Sequence, residues 1–518
     1  MSPPTVIYLH PRDNIAVAAR MLEAGQPIEA GEHRVKLREA VRLGHKIALS
    51  TIRKSDPVLK YGQVIGFATQ EIAPGEWVHS HNLELSDFAR DPASATETPP
   101  PPEPIRDRTF QGYVRPGGKA GTRNYLALVS SVNCSAHVCK AIAKHFDQKL
   151  LKDSPNVDGI IAFTHGDGCG MQYGGLKHQM LARTLGGMAK HPNVGGYLVV
   201  GLGCETSTPA YILESQRLVQ ISDPKGLPAT QSGGLPVMSM QDLGGTTKTI
   251  EAGIRYIADL LPRVNDVRRT TLPASEIILG TNCGGSDGNS GITANPALGV
   301  ASDMIVACGG TSVLAETTEI YGAEHLLTRR AVSVDVANKL LERIEWWKWY
   351  AGLFGLTCDN NPSLGNKEGG LTTIAEKSLG AVAKAGSSAF VDFYQYSEEI
   401  KAKGLVVMDT PGLDAPSVTG IVAGGANVVV FTTGRGSCFG CKPTPSIKVA
   451  TNTPMYERMV DDMDINAGVI LTEGRSVPEV GRQIFEEILA VASGKKTKSE
   501  LHGYGDDEFV PWWVGPVL

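Results

Sequence analysis

The chain carries none of the features that would direct it to a membrane, a nucleic acid or an oxidising compartment. No apolar run approaches the ~20 residues that span a bilayer. The opening Met1-Ser-Pro-Pro-Thr-Val-Ile-Tyr-Leu-His10 lacks the basic start and long apolar stretch of a signal peptide, so a cytoplasmic protein is expected. With 49 basic against 54 acidic residues there is no positive excess for nucleic acid or anionic lipid. The expected partners are a small molecule and further copies of the same chain, as a homo-oligomer. Nine cysteines, an odd number, argue for thiols or metal ligands over a disulfide framework. Cys438-Phe-Gly-Cys441 has no second pair to complete a zinc site. Dinucleotide and nucleotide fingerprints are also missing. Gly201-Leu-Gly203-Cys204-Glu205 lacks a third glycine and sets a carboxylate where a pyrophosphate would approach. The segments 365–370 and 432–437 each put one cation in a glycine-rich loop, and neither is a Walker sequence.

What the chain does have is a set of short apolar runs ending in cysteine. Tyr125 to Val132 leads to Cys134, and Gly159 to Phe163 leads through His165-Gly-Asp-Gly to Cys169. Gly196 to Val200 leads to Cys204, and Glu276 to Leu279 leads to Cys283. Each run has the length and the Val, Ile and Leu content of a buried strand, and helical patterns fill most of the gaps. This alternation predicts a doubly wound parallel α/β region. In such sheets residues just past the carboxyl ends of strands converge on the ligand. Four thiols there suit iron or zinc, although cysteine also buries well as a small hydrophobe.

A proline-rich stretch from Asp91 to Pro104 divides the chain. Such a stretch is a semi-rigid spacer, so four segments are expected: residues 1–88 as a small β module, 89–108 as linker, and 109–265 and 266–518 as two α/β subdomains. Further strands are expected at 302–307, 312–314, 389–392, 405–408 and 428–431. Helices are expected at 136–146, 176–189, 246–261, 332–352 and 477–492. In the first module only Asn14 to Ala24 has a helical pattern, with Ile15, Ala18, Ala19 and Leu22 on one face. That module ends in His79-Ser-His81-Asn82, whose histidines at i and i+2 share one face of a strand and suit a shared ligand. Trp346, Trp347 and Trp349, with Phe509-Val-Pro-Trp-Trp513, suit either core packing or a subunit interface. Glu316, Glu319, Asp287 and Asp464 are acidic groups near strand or loop ends, fit for proton transfer or for capping. Arg435 and Lys367 are the loop cations suited to a carboxylate.

Taken in order, His79-Ser-His81-Asn82, His165-Gly-Asp-Gly-Cys169-Gly, Gly201-Leu-Gly-Cys204-Glu205, Cys283-Gly-Gly-Ser-Asp287, Thr293-Ala-Asn-Pro296, Asn361-Pro-Ser-Leu-Gly-Asn-Lys367 and Thr433-Gly-Arg-Gly436 resemble the motif series of the altronate and galactarate dehydratase family. The resemblance spans almost the whole chain. It implies that the first module is a SAF domain, a compact β-clip, and that the chain is an iron-dependent hydro-lyase. The iron would be Fe²⁺ or an iron–sulfur centre. The reaction implied is loss of water across C2 and C3 of a sugar acid, giving a 2-keto-3-deoxy acid. Under that implication Cys134, Cys169, Cys204 and Cys283 are the pool of iron ligands. His165, His79, His81 and Glu316 are the acid–base candidates, and Lys367, Arg435, Asn366 and Asp287 the substrate-binding ones. Two loops depart from the family pattern. Ser437-Cys-Phe-Gly440 stands where Thr-Pro-Tyr-Gly is common, and Gly166-Asp-Gly168 stands where an aromatic residue is common before Gly-Cys. The paired histidines favour an altronate-like aldonate over galactarate. A carbon–sulfur lyase acting on a sulfonated hydroxy acid, and a non-catalytic sugar-acid-binding protein, are the alternative readings.

Overall fold

Short antiparallel strands, and no helix, build the first module in this computed structural model, which describes residues 4–86, 93–146, 150–218 and 236–514. One sheet orders Val6–Ile7, Ile15–Ala18, Lys46–Ala48 and Trp77–Val78, and another pairs Pro57–Lys60 with Gln63–Ala68 and Leu83–Glu84. The helix expected over Asn14 to Ala24 is therefore absent. All four residues of Ile15–Ala18 are buried, and a strand covered on both faces loses the alternation that would separate it from a short apolar helix. One apolar cluster joins Ile15, Val17, Val58 and Ile65 of this module to Leu314, Ile320, Leu340 and Leu405 of the last region. The module is thus packed into the larger body.

The proline-rich stretch, expected as a semi-rigid spacer, lies along the last region as a strap. Ala95 and Glu97 donate backbone N–H bonds to Thr328 O and Arg329 O, both at 2.8 Å, and Ile105 donates to Ala307 O at 3.0 Å. Extended chain has unpaired backbone groups, and neighbouring carbonyls satisfy them.

Two parallel sheets follow. The smaller holds β1 (Tyr125–Ser130), β2 (Gly159–Phe163), β3 (Val194–Gly201) and β4 (Val237–Ser239), in the order β2-β1-β3-β4. The larger holds β5 (Ile278–Cys283), β6 (Thr311–Leu314), β7 (Phe390–Tyr394), β8 (Gly404–Met408), β9 (Val428–Thr433), β10 (Ser446–Ala450) and β11 (Ile465–Asn466), in the order β7-β8-β6-β5-β9-β10-β11. The order reverses between β1 and β3 in one sheet and between β5 and β9 in the other. Each reversal opens a crevice at the carboxyl edge.

The helices used below are α1 (Asn133–His145), α2 (Leu176–Ala189), α3 (Ala294–Ala307), α4 (Val334–Gly352), α5 (Leu364–Glu368), α6 (Ile374–Val382) and α7 (Asp414–Ala423). The strand expected over 302–307 is instead the end of α3. Ser302 and Ile305 there face the core at helical spacing, and Asp303, Met304, Val306 and Ala307 are half-buried. The tail docks as core: Trp512 stacks on Trp347 of α4 at 4.9 Å between centroids, while Trp349 stays exposed. Helices α2 and α7 run side by side in the same direction. A side chain at Gly187 would collide with Ala423 O near their ends, and Tyr396 links Met180 to Pro416 near their starts. Each follows a strand of its own sheet, so the carboxyl edges of both sheets face the same side.

The docking of the first module is sealed by a dry ion triad. Lys46 and Lys60 each place Nζ 2.8 Å from a carboxylate oxygen of Glu376, and all three side chains are inaccessible to solvent. Burial alone would raise the Glu376 pKa, but the two lysines hold it well below the usual carboxylate range. Burial lowers Lys46 to about 8 against the pull of Glu376. Glu376→Ala leaves two buried lysines without a counter-charge and is expected to cost about 3–5 kcal/mol. Chemical denaturation at neutral pH measures this; a loss below 1 kcal/mol would remove the triad as the docking element.

Candidate active site

Docking creates a cavity of about 650 Å³ between the first module and α5. The strand carrying Trp77 ends at Val78 and residues 79–82 form a turn closed by Asn82 N donating to His79 O, so the two histidines do not share a strand face as their spacing predicts; both instead pack against Trp77. His79 stacks on Trp77 at 4.9 Å and on His45 at 5.3 Å, and His81 tilts against Trp77 at 5.0 Å. Two carbonyls of α5 orient the rings: His79 Nε2 lies 2.9 Å from Lys367 O, and His45 Nε2 lies 3.1 Å from Glu368 O. A carbonyl only accepts, so both histidines carry their proton on Nε2. Trp77 Nε1 donates to His45 Nδ1 at 3.1 Å, which completes that ring. His79 Nδ1 is left as a basic nitrogen on the inner ring of the stack. Burial lowers the pKa of His79, and it lowers that of His45 to about 4.

The crevice between β5 and β9 abuts this cavity. Gly285 O accepts from Gly434 N at 3.0 Å and from Arg435 N at 2.9 Å, and Arg435 Nη2 reaches Glu368 Oε2 at 3.2 Å. Arg435 and His79, far apart in sequence, are therefore both tied to the Lys367-Glu368 dipeptide, while His81 is exposed on the far side of Trp77. Two other expected substrate contacts are framework. Asp287 is buried and accepts from Ser290, Thr451 and Asn452 side chains and from Asn289 N. Asn366 caps α5 at Ser363 and donates to Ser286 O at 2.9 Å. Their polar atoms already serve the protein, so neither turns toward a ligand.

Beneath them the sheet edge is charged and dry. Glu316 sits 2.5 Å from Lys384 and accepts from Cys283 N at 3.1 Å. Burial raises its pKa to about 7; Lys384 works against the shift, and Glu319 and Asp414 add to it. Glu319 pairs with Lys377 at 2.7 Å. Cys283 is buried, with Sγ 2.8 Å from Ser286 Oγ, and its charged neighbours are Lys384 and Glu316. It is the last residue of β5, where the sequence pattern expects a residue beyond the strand.

The other three thiols converge at the smaller sheet. Cys134 opens α1 after β1, Cys169 follows β2, and Cys204 follows β3. The Cys169 thiol pKa is raised by partial burial and by its neighbours Cys134 and Cys204. His165 belongs to this edge. Its Nε2 lies 2.9 Å from Ser130 O, and its Nδ1 accepts from Asp167 N at 3.1 Å. With both nitrogens engaged and the ring buried, His165 ties the β2 loop to β1 and has no free nitrogen for proton transfer.

His45, Lys46, Lys60 and Glu376 were not visible as site residues from sequence. Each is a single polar residue in a strand or helix pattern without a motif. The weak signal was a run of charged residues in otherwise buried strands, Lys46 before Ile47-Ala48 and Lys60 after Val58-Leu59.

The sequence matches three family descriptions end to end: "Altronate/galactarate dehydratase SAF domain" over residues 4–86, "D-galactarate dehydratase/Altronate hydrolase, second domain" over 112–265, and "D-galactarate/Altronate dehydratase, C-terminal" over 274–517. It is 38% identical over 502 residues to galactarate dehydratase (L-threo-forming) of Escherichia coli, covering 95% of this chain and 94% of the relative. It is 35% identical over 506 residues to altronate dehydratase of Bacillus subtilis, covering 96% and 97%. The beta subunit of (2R)-sulfolactate sulfo-lyase of Chromohalobacter salexigens is 30% identical over 404 residues, covering 77% and 96%.

The two kinds of histidine should separate experimentally. His79→Ala is expected to lower kcat about 100-fold or more with a stability change under about 1 kcal/mol. His165→Ala is expected to cost about 1–3 kcal/mol of stability. Steady-state kinetics beside thermal melts read both; equal stability losses would erase the distinction. His45 also makes a pH dependence. Its folded pKa of about 4 lies below the ordinary value of 6.5, so its contribution is complete above pH 6.5 and is lost as pH falls through 4. His45→Gln should flatten that part of the stability profile by roughly 3 kcal/mol.

Proposed function

The chain belongs to the D-galactarate/altronate dehydratase family, and on that footing we propose that it removes the C2 proton and C3 hydroxyl of an acidic sugar. The product is an enol that becomes a 2-keto-3-deoxy acid. As a member it is a hydro-lyase. The observation that supports the finer reading is that His79 and Arg435 are both anchored on the one dipeptide Lys367-Glu368 across the docked interface, His79 through Lys367 O and Arg435 through the Glu368 carboxylate.

A proton next to a carboxylate is weakly acidic because the carbanion spreads its charge onto oxygens already negative. Lowering that barrier takes a base held neutral and cations held near the carboxylate. His79 meets the first condition: burial keeps it neutral at pH 7, and its bond to Lys367 O directs the lone pair of Nδ1 away from the backbone. Arg435 meets the second, with a planar fork that matches a carboxylate in two parallel bonds. In this reading Arg435 leaves Glu368 for the substrate, Lys367 adds a second cation, and His81 passes a proton to the departing hydroxyl. Glu316 and Lys384 lie below as a charge pair that sets the field at the sheet edge.

Iron is the proposed cofactor, and when bound it supplies Lewis acidity to substrate oxygens. Thiolate is a fitting donor for iron. Cys134, Cys169 and Cys204, which are exposed and follow three neighbouring strands, are the residues that would hold it. Cys283 is enclosed by Ser286, Glu316 and Lys384 and is left out of that set.

Altronate-like aldonates are the proposed substrates, on the strength of the paired histidines. A panel of hexonates and hexarates, incubated with anaerobic, iron-replete protein, is expected to yield a 2-keto-3-deoxy acid with an aldonate. Sulfite release from a sulfonated hydroxy acid in place of that product would favour the lyase chemistry named for the Chromohalobacter relative. Arg435→Lys should raise KM roughly tenfold to a hundredfold by losing the bidentate contact; an unchanged KM would remove Arg435 from the carboxylate.

A further inference from the structure

Arg329 and Arg330, beside the proline-rich strap, carry positive charge that the protein answers incompletely. Both border a cavity of about 420 Å³ that also takes in Glu97 and Pro99 of the strap, with Gly386 and Ser387. In each arginine the engaged atom is Nη1. That of Arg330 donates to Gly386 O at 2.5 Å, and that of Arg329 stands 3.6 Å from Glu97 Oε1. In each, the Nε–H is buried and has no acceptor among the described residues. Nε lies on the edge of the guanidinium away from Nη1, and Nε with Nη2 is one of the flat donor pairs by which arginine grips a carboxylate. A buried N–H without an acceptor is costly, and two on neighbouring residues need a reason.

Nearby carboxylates do not supply it. Burial lowers the pKa of Arg330 to about 10, and Asp303 works against the shift. Yet both oxygens of Asp303 are occupied by the N–H and hydroxyl groups of Ser387 and Ser388. Glu97 meets Arg329 loosely and stays exposed. The walls define the kind of anion that fits. Pro99, Leu326, Leu379, Val382 and Ala383 form an apolar floor, where the hydroxyls of a polyhydroxy acid would be buried without partners. A carboxylate on a short apolar body matches the cations and the floor together.

This cavity is separate from the candidate active site. Arg330 O accepts from Phe390 N at 3.1 Å at the amino end of β7, the edge strand three places from β5. The crevice of Arg435 opens at the carboxyl end of β5. Helix α6 links the two regions. Its first turn carries Glu376 of the docking triad, and its later residues Leu379 and Val382 wall the cavity. Lys384, the partner of Glu316, follows directly on Ala383 of the same wall.

We propose that Arg329 and Arg330 form a second ligand site, for a small carboxylate with an apolar body of a few carbons. The carboxylate takes the free edge of Arg330 with Arg329 as second cation, Glu97 turns out to solvent, and the apolar body lies on Leu379 and Val382. Occupation braces α6. The site stands whether or not the chain dehydrates a sugar acid.

Titration calorimetry of the full-length protein with butyrate is expected to show about one site per chain with a Kd of roughly 1 mM. Arg330→Gln should raise that Kd at least about tenfold, while Arg435→Lys, altered in the other crevice, should leave it within about twofold. Because Arg330→Gln can disturb folding, the exposed Glu97→Gln gives a second arm: loss of the competing carboxylate should lower Kd about threefold. Inorganic phosphate, which takes the cations without using the floor, should displace butyrate only at concentrations about tenfold higher or more. Hydrogen exchange of the α6 amides should slow with butyrate bound; unaltered exchange at saturation would remove the brace. No binding up to about 50 mM, weakening by Arg435→Lys in place of Arg330→Gln, an unchanged Kd in Glu97→Gln, or displacement by phosphate at equal concentration would each overturn the site.

Discussion

Everything at the candidate site depends on one dry contact between two parts of the chain, the Lys46–Glu376–Lys60 triad. Removing three charges from water is costly, and their mutual attraction offsets that cost only when the geometry is tight. Lys46 meets this demand with two bonds to Glu376 and a third, at 2.6 Å, to Gly370 O. The backbone beside it is equally constrained. A side chain at Gly288 or at Gly370 would collide with Gly44 O. The histidine face is therefore fixed against α5, and the cavity exists only because that approach is close. A lid that opened to solvent would expose three charges and part of a shared apolar core at once, so the first module is a permanent wall.

The larger architecture explains why chemistry gathers where it does. Both parallel sheets reverse their strand order once, and at each reversal the loops diverge to opposite faces and leave a crevice. One crevice holds Arg435 over a buried row of carboxylates and lysines. The other holds three thiols. Helices α2 and α7 lie between the sheets and run in the same direction, so the two crevices share one side of the molecule.

Much of this was legible in the sequence, for definite reasons. Gly159–Phe163 and Val477–Ala492 appear with the expected bounds, because apolar runs closed by Gly or opened by Ser-Val-Pro leave little choice of register. The thiols at the ends of β1, β2 and β3 were readable from run length alone. The separation of Cys283 was not, since nothing in a chain of strand–loop repeats says which sheet a strand joins. Ile15–Ala18 was misread because a strand buried on both faces carries no alternation, and residues 302–307 because a short apolar run at the end of a helix has the composition of a strand. The hydrogen-bonded framework around Asp287 and Asn366 was not legible, because a polar residue in a glycine-rich loop has the same sequence whether it faces a ligand or knits the loop together. The role of His165 turned on which hydrogen bonds its ring makes, and those partners, Ser130 and Asp167, are visible only in three dimensions.

The dipeptide Lys367-Glu368 does two jobs with different atoms. Its carbonyls fix the protons of His79 and His45, while Glu368 engages Arg435 through its carboxylate. Charge exchange at the side chains leaves the main-chain oxygens where they are, because Ser363 and Asn366 cap the short helix that carries them. In the proposed reaction an arriving carboxylate would take Arg435 from Glu368 without disturbing either imidazole tautomer. Under those proposed roles, recognition and proton transfer would be mechanically insulated from each other across a single peptide unit.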